Sequence, residues 1–248
     1  RCAFVSCISE WHREFYRGFE DIGEARMPVI RCGVSVPTER GTPILSGDGP
    51  VSILGVGRLV PKKGFDTLVR ALAGLRDEGR PFECAIIGDG PERGRLEELR
   101  DELGLGEYIA LLGARPNAEI RERMMRCDLF VLPCRTVSGG DRDGIPVVLM
   151  EAMASGMCAV SGDLPAIREL IEDGRTGVIV DPDDVGGLTR AIGGLMDDPS
   201  RARELAESGR GRVEKEFSDG VNLERLASSI RQWTGVTADD RSAAGSRT

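Results

Sequence analysis

Arg58 and Lys63 flank a short turn, Gly57-Arg58-Leu59-Val60-Pro61-Lys62-Lys63-Gly64, set between an apolar run and an amphipathic one. A helix that follows such a turn presents free N–H groups and the positive end of its dipole, and with two cations beside it the arrangement suits a diphosphate without any metal. Solvated cations on a surface turn would look the same. Gly55-x-Gly57 alone is only part of a dinucleotide fingerprint, since the third glycine is missing. A second stretch, Cys134-Arg-Thr-Val-Ser-Gly-Gly-Asp-Arg-Asp-Gly-Ile-Pro146, is longer than most connections and delivers Asp143-Gly144-Ile145-Pro146 to another amphipathic run. Proline at the first helical position leaves neighbouring N–H groups free to meet an anion. Glu151 lies further along the same run, and a buried carboxylate there can accept both hydroxyls of a ribose, or serve simply as a cap or ion pair. A third stretch, Gly88-Asp89-Gly90-Pro91, lets a ligand approach the backbone closely, as would an ordinary turn.

The elements that must position these residues repeat along the chain. Apolar, branched runs at 51–57, 82–88, 108–113, 129–134, 158–162 and 178–181 read as strands. Runs with helical spacing follow each of them, at 65–75, 92–103, 118–127, 146–154, 166–173 and 185–196. Strands alternating with amphipathic helices predict an α/β fold, a doubly wound parallel sheet covered on both faces. Ligands of such sheets sit outside the carboxyl ends of the strands, which selects the loops after Gly57, Gly88, Gly113 and Cys134. Ahead of residue 51 the pattern predicts a strand at 4–9, a helix at 10–19 and a strand at 28–33. A Gly/Pro/Ser/Thr-rich linker over 37–50 follows them. Two charge-rich helices are expected at 200–217 and 219–233, then a polar, disordered tail to residue 248.

Composition narrows the partners. The chain has 33 basic and 41 acidic side chains, a net charge of −8, which argues against a protein that tracks nucleic-acid phosphates. Its seven cysteines, Cys2, Cys7, Cys32, Cys84, Cys127, Cys134 and Cys158, contain no C-x-x-C pair, and several fall in apolar runs. They read as core residues of a reduced, cytoplasmic protein and not as zinc ligands or a disulfide framework. His12, the single histidine, excludes a self-contained Ser-His-Asp hydrolase and any multi-histidine metal site. Its polar neighbours, Glu10, Arg13 and Glu14, suggest a surface or half-buried position on a helix.

Taken in order, GRLVPKKG (57–64), IIGDGP (86–91), DGIPVVLMEAMASG (143–156) and DLPAIRELIEDGRTGVIVDPDD (163–184) resemble the group 1, or family 4, retaining glycosyltransferases of the GT-B fold. The resemblance covers roughly 51–233, and several motifs in register are far more specific than one. FVSCISEWHREFY (4–16) and PVIRCGVSV (28–36) look like the last strands of the family's N-terminal acceptor domain. The resemblance implies a domain division into a remnant of that domain (1–36), a linker (37–50), a Rossmann-like donor domain (51–217), a helix packing back toward the N-terminal domain (218–233) and the tail (234–248). It implies that Arg58 and Lys63 hold the donor diphosphate, with Gly57, Gly88 and Gly90 lining the site. Glu151 would bind the ribose, and Asp143, where the family more often has Glu, would lie beside the transferred sugar. The backbone of Gly144, Ile145, Pro146 and Val147 would complete the cradle, and Gly113 and Arg115 would lie near the base.

No metal and no cofactor are implied, only a UDP-, GDP- or ADP-sugar donor. The acceptor, a saccharide or glycolipid, would be held by a domain upstream of Arg1. The resemblance adds cytoplasmic location, with a peripheral membrane contact as a weaker expectation, because acids interrupt the Arg-rich segment 201–215. Rival readings stay open at this point. Asp141-Arg142-Asp143 matches the Asp-x-Asp of metal-dependent transferases, whereas Asp181-Pro182-Asp183 reads better as a turn before an N-cap. A non-catalytic nucleotide-binding module, a GT-B epimerase and a dehydrogenase remain, the last disfavoured by its incomplete fingerprint.

Overall fold

The computed structural model describes residues 2–18, 26–39, 41, 45 and 49–235. Six parallel strands form one sheet: β1 (Val51–Val56), β2 (Phe82–Ile87), β3 (Ile109–Gly113), β4 (Leu129–Leu132), β5 (Cys158–Gly162) and β6 (Val178–Val180). Their order, β3-β2-β1-β4-β5-β6, reverses direction between β1 and β4. That reversal is where a doubly wound sheet opens a crevice. Helices α2 (Phe65–Asp77), α3 (Arg93–Glu102), α4 (Asn117–Met124), α5 (Val147–Ala154), α6 (Val185–Asp197) and α7 (Pro199–Arg212) flank it. The doubly wound expectation is met, with all six strands at the anticipated places.

The central strands are apolar on both faces because helices cover both. Leu54, Leu129, Phe130, Val131 and Leu132 are fully buried, and α2 sets Leu68, Val69, Leu72 and Leu75 against them. At the carboxyl ends the strand loops are packed backbone on backbone. The Gly57 N–H donates to the Ile87 carbonyl at 3.0 Å and the Leu59 N–H to the Asp89 carbonyl at 2.9 Å. A Cβ at Gly88 would overlap the carbonyl oxygen of Gly57, and one at Gly64 or Gly162 would overlap the carbonyl of Pro133 or Cys134.

Some expectations are corrected. The apolar repeat at 166–173 forms only a short 3-10 turn, Ile167–Glu169. Beyond it the Thr176 hydroxyl takes the Glu172 N–H at 2.8 Å and the Asp173 carboxylate takes the Ile179 N–H at 2.8 Å, offering the backbone partners that a helix would have supplied. The runs at 4–9 and 28–33 pair only briefly, at one parallel bridge, Cys7 to Val29, with the Val5 N–H donating to the Arg26 carbonyl at 2.9 Å beside it. Helix α1 is Glu10–Arg17, and the anticipated end at Phe19 lies outside the described residues, as does the tail from residue 236. Helix α7 stops at Arg212 and continues as a wider turn, Val213–Phe217, before α8 (Asp219–Thr234).

The segment ahead of β1 rests on this framework. Val34 pairs with Ser218, and the Arg31 N–H donates to Asn222 of α8 at 3.0 Å. The Phe4 ring lies 5.3 Å from that of Trp233. Arg210, 6% exposed, spans the linker: its guanidinium donates to the Ala154 carbonyl at the end of α5 and to the Pro37 carbonyl, both at 2.6 Å.

Gly88→Ala should lower stability by about 2–4 kcal/mol, since backbone must move to admit the methyl. Gly194→Ala, in α6 with open space around its Cα, should instead stabilise by up to about 1 kcal/mol. Urea unfolding midpoints at unchanged slope check both.

Candidate functional site

The turn after β1 is a short 3-10 helix, Pro61–Lys63, closed by Gly64 at φ 70°. Pro61 starts it, and the left-handed Gly64 redirects the chain into α2 while its Cα lies on the Pro133 carbonyl after β4. The turn points Lys62 and Lys63 toward the loop that follows β4. That loop is fastened by the Arg135 N–H, which donates to the Lys62 carbonyl at 2.9 Å, and by the Arg135 guanidinium, paired with Asp66 at 2.9 Å.

Lys63 and Asp143 meet in an ion pair at 2.9 Å, with side chains 13% and 16% exposed. Lys62 pairs with Asp141 at 2.9 Å and lies 3.8 Å from the other oxygen of Asp143. The Cys134 thiol, 3.4 Å from Asp143, completes the contact from below, and burial pushes that thiol up. The hydrogen bond to Asp141 raises Lys62, which therefore stays cationic across the physiological range. Both carboxylates of Asp141-x-Asp143 thus face lysines. In the other candidate pair Asp181 accepts the Asp183 backbone N–H at 3.0 Å, and the following Asp184 caps α6 through Gly187.

Arg58 is exposed, and its guanidinium has no ion pair or hydrogen bond among the described residues. Pro146 is the N-cap of α5, with extended backbone (ψ 126°), so the helix begins at Val147 and not at the proline as anticipated. An α-helix leaves its first N–H groups without intrahelical partners, here those of Val147 and Val148. Val147 is 46% exposed, an apolar side chain held at the site and not in the core. Glu151, one turn on, is half-buried, and its carboxylate has no hydrogen bond or ion pair among the described residues. Burial raises its pKa, with Arg121 pulling weakly the other way.

The structure brings Lys63 against Asp143 and beside Gly57 at the ends of β1 and β4, with Arg58 in the first turn, Gly144, Ile145, Pro146 and Val147 following Asp143, and Glu151 one turn along α5. Gly88 and Gly90 also have a packing role. The space beside each is filled by the Gly57 or Leu59 backbone, so they admit the neighbouring loop. Gly113, at φ 71°, lies 3.0 Å (to a built Cβ) from the Arg93 guanidinium, which also holds the Leu111 carbonyl. Arg115 is exposed after the edge strand β3 and lies 3.5 Å from Glu119. Sequence reasoning missed Lys62 and Cys134; His12 is half-buried on α1, as anticipated. His12 Cε1 comes within 3.4 Å of the position of a Gly144 Cβ. The Trp11 ring carries the Arg142 guanidinium at 4.5 Å. Glu169 anchors that helix, accepting the Glu10 and Trp11 N–H groups at 2.9 and 2.8 Å and pairing with Arg31 at 3.2 Å.

The model of the family described as glycosyl transferases group 1 matches residues 43–212. The chain belongs to the group 1 glycosyltransferases. It is 38% identical over 165 residues to a GDP-mannose-dependent alpha-(1-6)-phosphatidylinositol monomannoside mannosyltransferase of Mycolicibacterium smegmatis, covering 66% of this chain and 43% of that protein. It is 31% identical over 207 residues to a putative colanic acid biosynthesis glycosyltransferase of Escherichia coli, covering 83% of this chain and 51% of that one. The chain therefore spans about half the length of these relatives. Its fold is that of GT-B glycosyltransferases: the Anabaena HepE structure in complex with UDP superposes with a TM-score of 0.81 at 20% identity, over 93% of this chain and 64% of that one. Among the described residues no helix is long and apolar enough to cross a membrane, and no group of three or more His, Cys, Asp and Glu is placed to hold a metal ion.

Glu151→Gln should stabilise the chain at neutral pH, because burial penalises the ionised carboxylate. The sign follows from a folded pKa raised above the ordinary 4.5. Above the folded pKa the wild type bears the full penalty; the gap narrows as pH falls through the folded pKa and closes below 4.5, where the acid is neutral in both states. Urea unfolding of both proteins at pH 7 and pH 5 checks it.

Proposed function

We propose that this chain forms the donor-binding part of a retaining, metal-independent glycosyltransferase that takes its sugar from a nucleoside diphosphate. The observation that carries the reading is the meeting of Lys63 and Asp143 at 2.9 Å where the sheet reverses, beside the free N-terminus of α5 and the unpaired Arg58. Lys62 and Lys63 face Asp141 and Asp143 there, and Arg58 stands in the same turn with no ion pair among the described residues. A diphosphate is matched to such a place, and it can draw Lys63 from Asp143 without exposing either group to an apolar wall.

The reaction asks little else of the protein. The bond from the anomeric carbon to the diphosphate oxygen stretches, positive charge grows on the sugar and negative charge on the leaving group. Fixed donors aimed at the leaving group stabilise that state more than the ground state. Arg58, Lys63 and the N–H groups of Val147 and Val148 are suited to the diphosphate, Asp143 to the sugar and Glu151 to the ribose hydroxyls. The paired carboxylates are not read by the glycosidase distance rule, since the nucleoside diphosphate leaves without needing an acid. Support for a nucleotide-sugar donor comes from the names of similar proteins, one dependent on GDP-mannose and one structure holding UDP. An acceptor bound by a further domain accords with the half-length coverage of the relatives.

Calorimetric titration with GDP, UDP and ADP should show binding of at least one, weakened about tenfold or more in Lys63→Ala and unchanged by EDTA. Absence of heat for all three nucleotides, or wild-type affinity in Lys63→Ala, would overturn the diphosphate role. Loss of binding in EDTA would overturn metal independence.

A further inference from the structure

We propose that Lys62 is a positioning residue of the donor site, a second counter-ion that takes over Asp143 when a bound diphosphate draws Lys63 away. The inference rests on the donor reading above and adds to it a residue that acts through the carboxylate and not on the diphosphate.

The two oxygens of Asp143 face different partners. Oδ2 is 2.9 Å from Lys63 Nζ and 3.4 Å from the Cys134 thiol, whereas Oδ1 faces Lys62 Nζ at 3.8 Å. That last distance is too long for a hydrogen bond. The Lys62 ammonium is bonded to Asp141 instead, at 2.9 Å. Lys62 thus stands beside Asp143 without being committed to it.

Burial decides the direction of an exchange. Lys63 and Asp143 are both largely out of water, so a diphosphate that takes Lys63 leaves a desolvated carboxylate without its counter-ion. Asp141 is exposed, and water replaces Lys62 there at little cost. Moving Lys62 from Asp141 to Asp143 therefore gives up a weak pair and restores a stronger one.

The movement is short and confined to one side chain. Closing from 3.8 Å to an ordinary hydrogen bond takes about 1 Å, which the flexible stem of a lysine supplies. The backbone stays where it is, since the Arg135 N–H holds the Lys62 carbonyl at 2.9 Å and the Val60 carbonyl holds the Lys63 N–H at 3.0 Å. Burial keeps the Cys134 thiol protonated, so it goes on donating to Oδ2 while Lys62 closes on Oδ1. Asp143 then has a partner on each oxygen after Lys63 has left, and it stays in place for a hydroxyl of the sugar. A lysine that bound the diphosphate directly would also weaken binding when removed, so the assignment turns on whether Lys62 acts through Asp143.

The test is a double-mutant cycle read by calorimetry on the whole chain, with whichever of GDP, UDP and ADP the wild type binds. Lys62→Met should weaken binding about five- to tenfold, because drawing Lys63 away then strands Asp143. Asp143→Asn, in which Lys63 is already free, should bind at least as tightly as the wild type. In that background no carboxylate needs a counter-ion, and adding Lys62→Met should change affinity by less than about 1.5-fold. The loss in the wild-type background should therefore exceed the loss in the Asp143→Asn background by about threefold or more. A smaller ratio would overturn the proposal, whether Lys62→Met is silent or costs the same in both backgrounds, as a direct phosphate ligand would. Loss of binding in Asp143→Asn would overturn it too, since the diphosphate would then depend on the carboxylate itself. A wild type that binds none of the three nucleotides would overturn the donor reading, and this role of Lys62 with it.

Discussion

Everything at the carboxyl edge of the sheet depends on neighbouring strand ends coming closer than side chains allow. Gly88 sits on the Gly57 carbonyl, Gly64 on that of Pro133 and Gly162 on that of Cys134. These contacts tie the loops after β1, β2, β4 and β5 into one backbone-bonded rim, reinforced by N–H donors from Gly57 and Leu59. Because the rim is made of backbone, the side chains it carries have few ways to shift independently. Lys63 meets Asp143 since the two glycine-bearing turns that present them are already in contact.

The electrostatics of that rim are those of a site prepared for an anion. The protein is acidic as a whole, and many of its surface cations are paired along helices, as in Arg93 with Glu97 or Arg126 with Glu122. Such exposed pairs contribute little to stability. Arg58, by contrast, is left unengaged among the described residues, and Glu151 is half-buried with no hydrogen bond or ion pair among them, only Arg121 acting at a distance. Desolvating a carboxylate without a partner costs stability, and proteins retain that arrangement where a ligand supplies the missing donors.

Strands and most helices were legible because branched apolar runs and helical spacing are local signals, and the parallel sheet followed from their alternation. Lys63, Asp143 and Glu151 were legible for a similar reason, each lying at a strand–helix junction that the pattern itself marks. The misreadings share a cause. Leu164, Ile167, Leu170 and Ile171 are spaced like a helix face, yet side-chain bonds from Asp173 and Thr176 claim the backbone there. Gly88 and Gly90 also meet a loop from another strand, a contact that the turn pattern does not announce. His12 is half-buried on a helix, as its polar neighbours suggested, but its approach to Gly144, far along the chain, carried no local signal. Contacts between distant segments leave no mark on local periodicity.

Arg210 joins the carbonyl of Pro37 to the carbonyl of Ala154, and so links the linker to the last turn of α5. At its other end that helix begins beside Asp143, only eight residues or about 12 Å away. A helix of this length is stiff, and it is buried along most of its side chains. It therefore works as a short rod, with a mechanical attachment at one end and a chemical one at the other. A pull on the segment ahead of the sheet reaches the helix directly, without first passing through the sheet. Pro37 and the α5 N–H groups that open toward the crevice are the two ends of that connection.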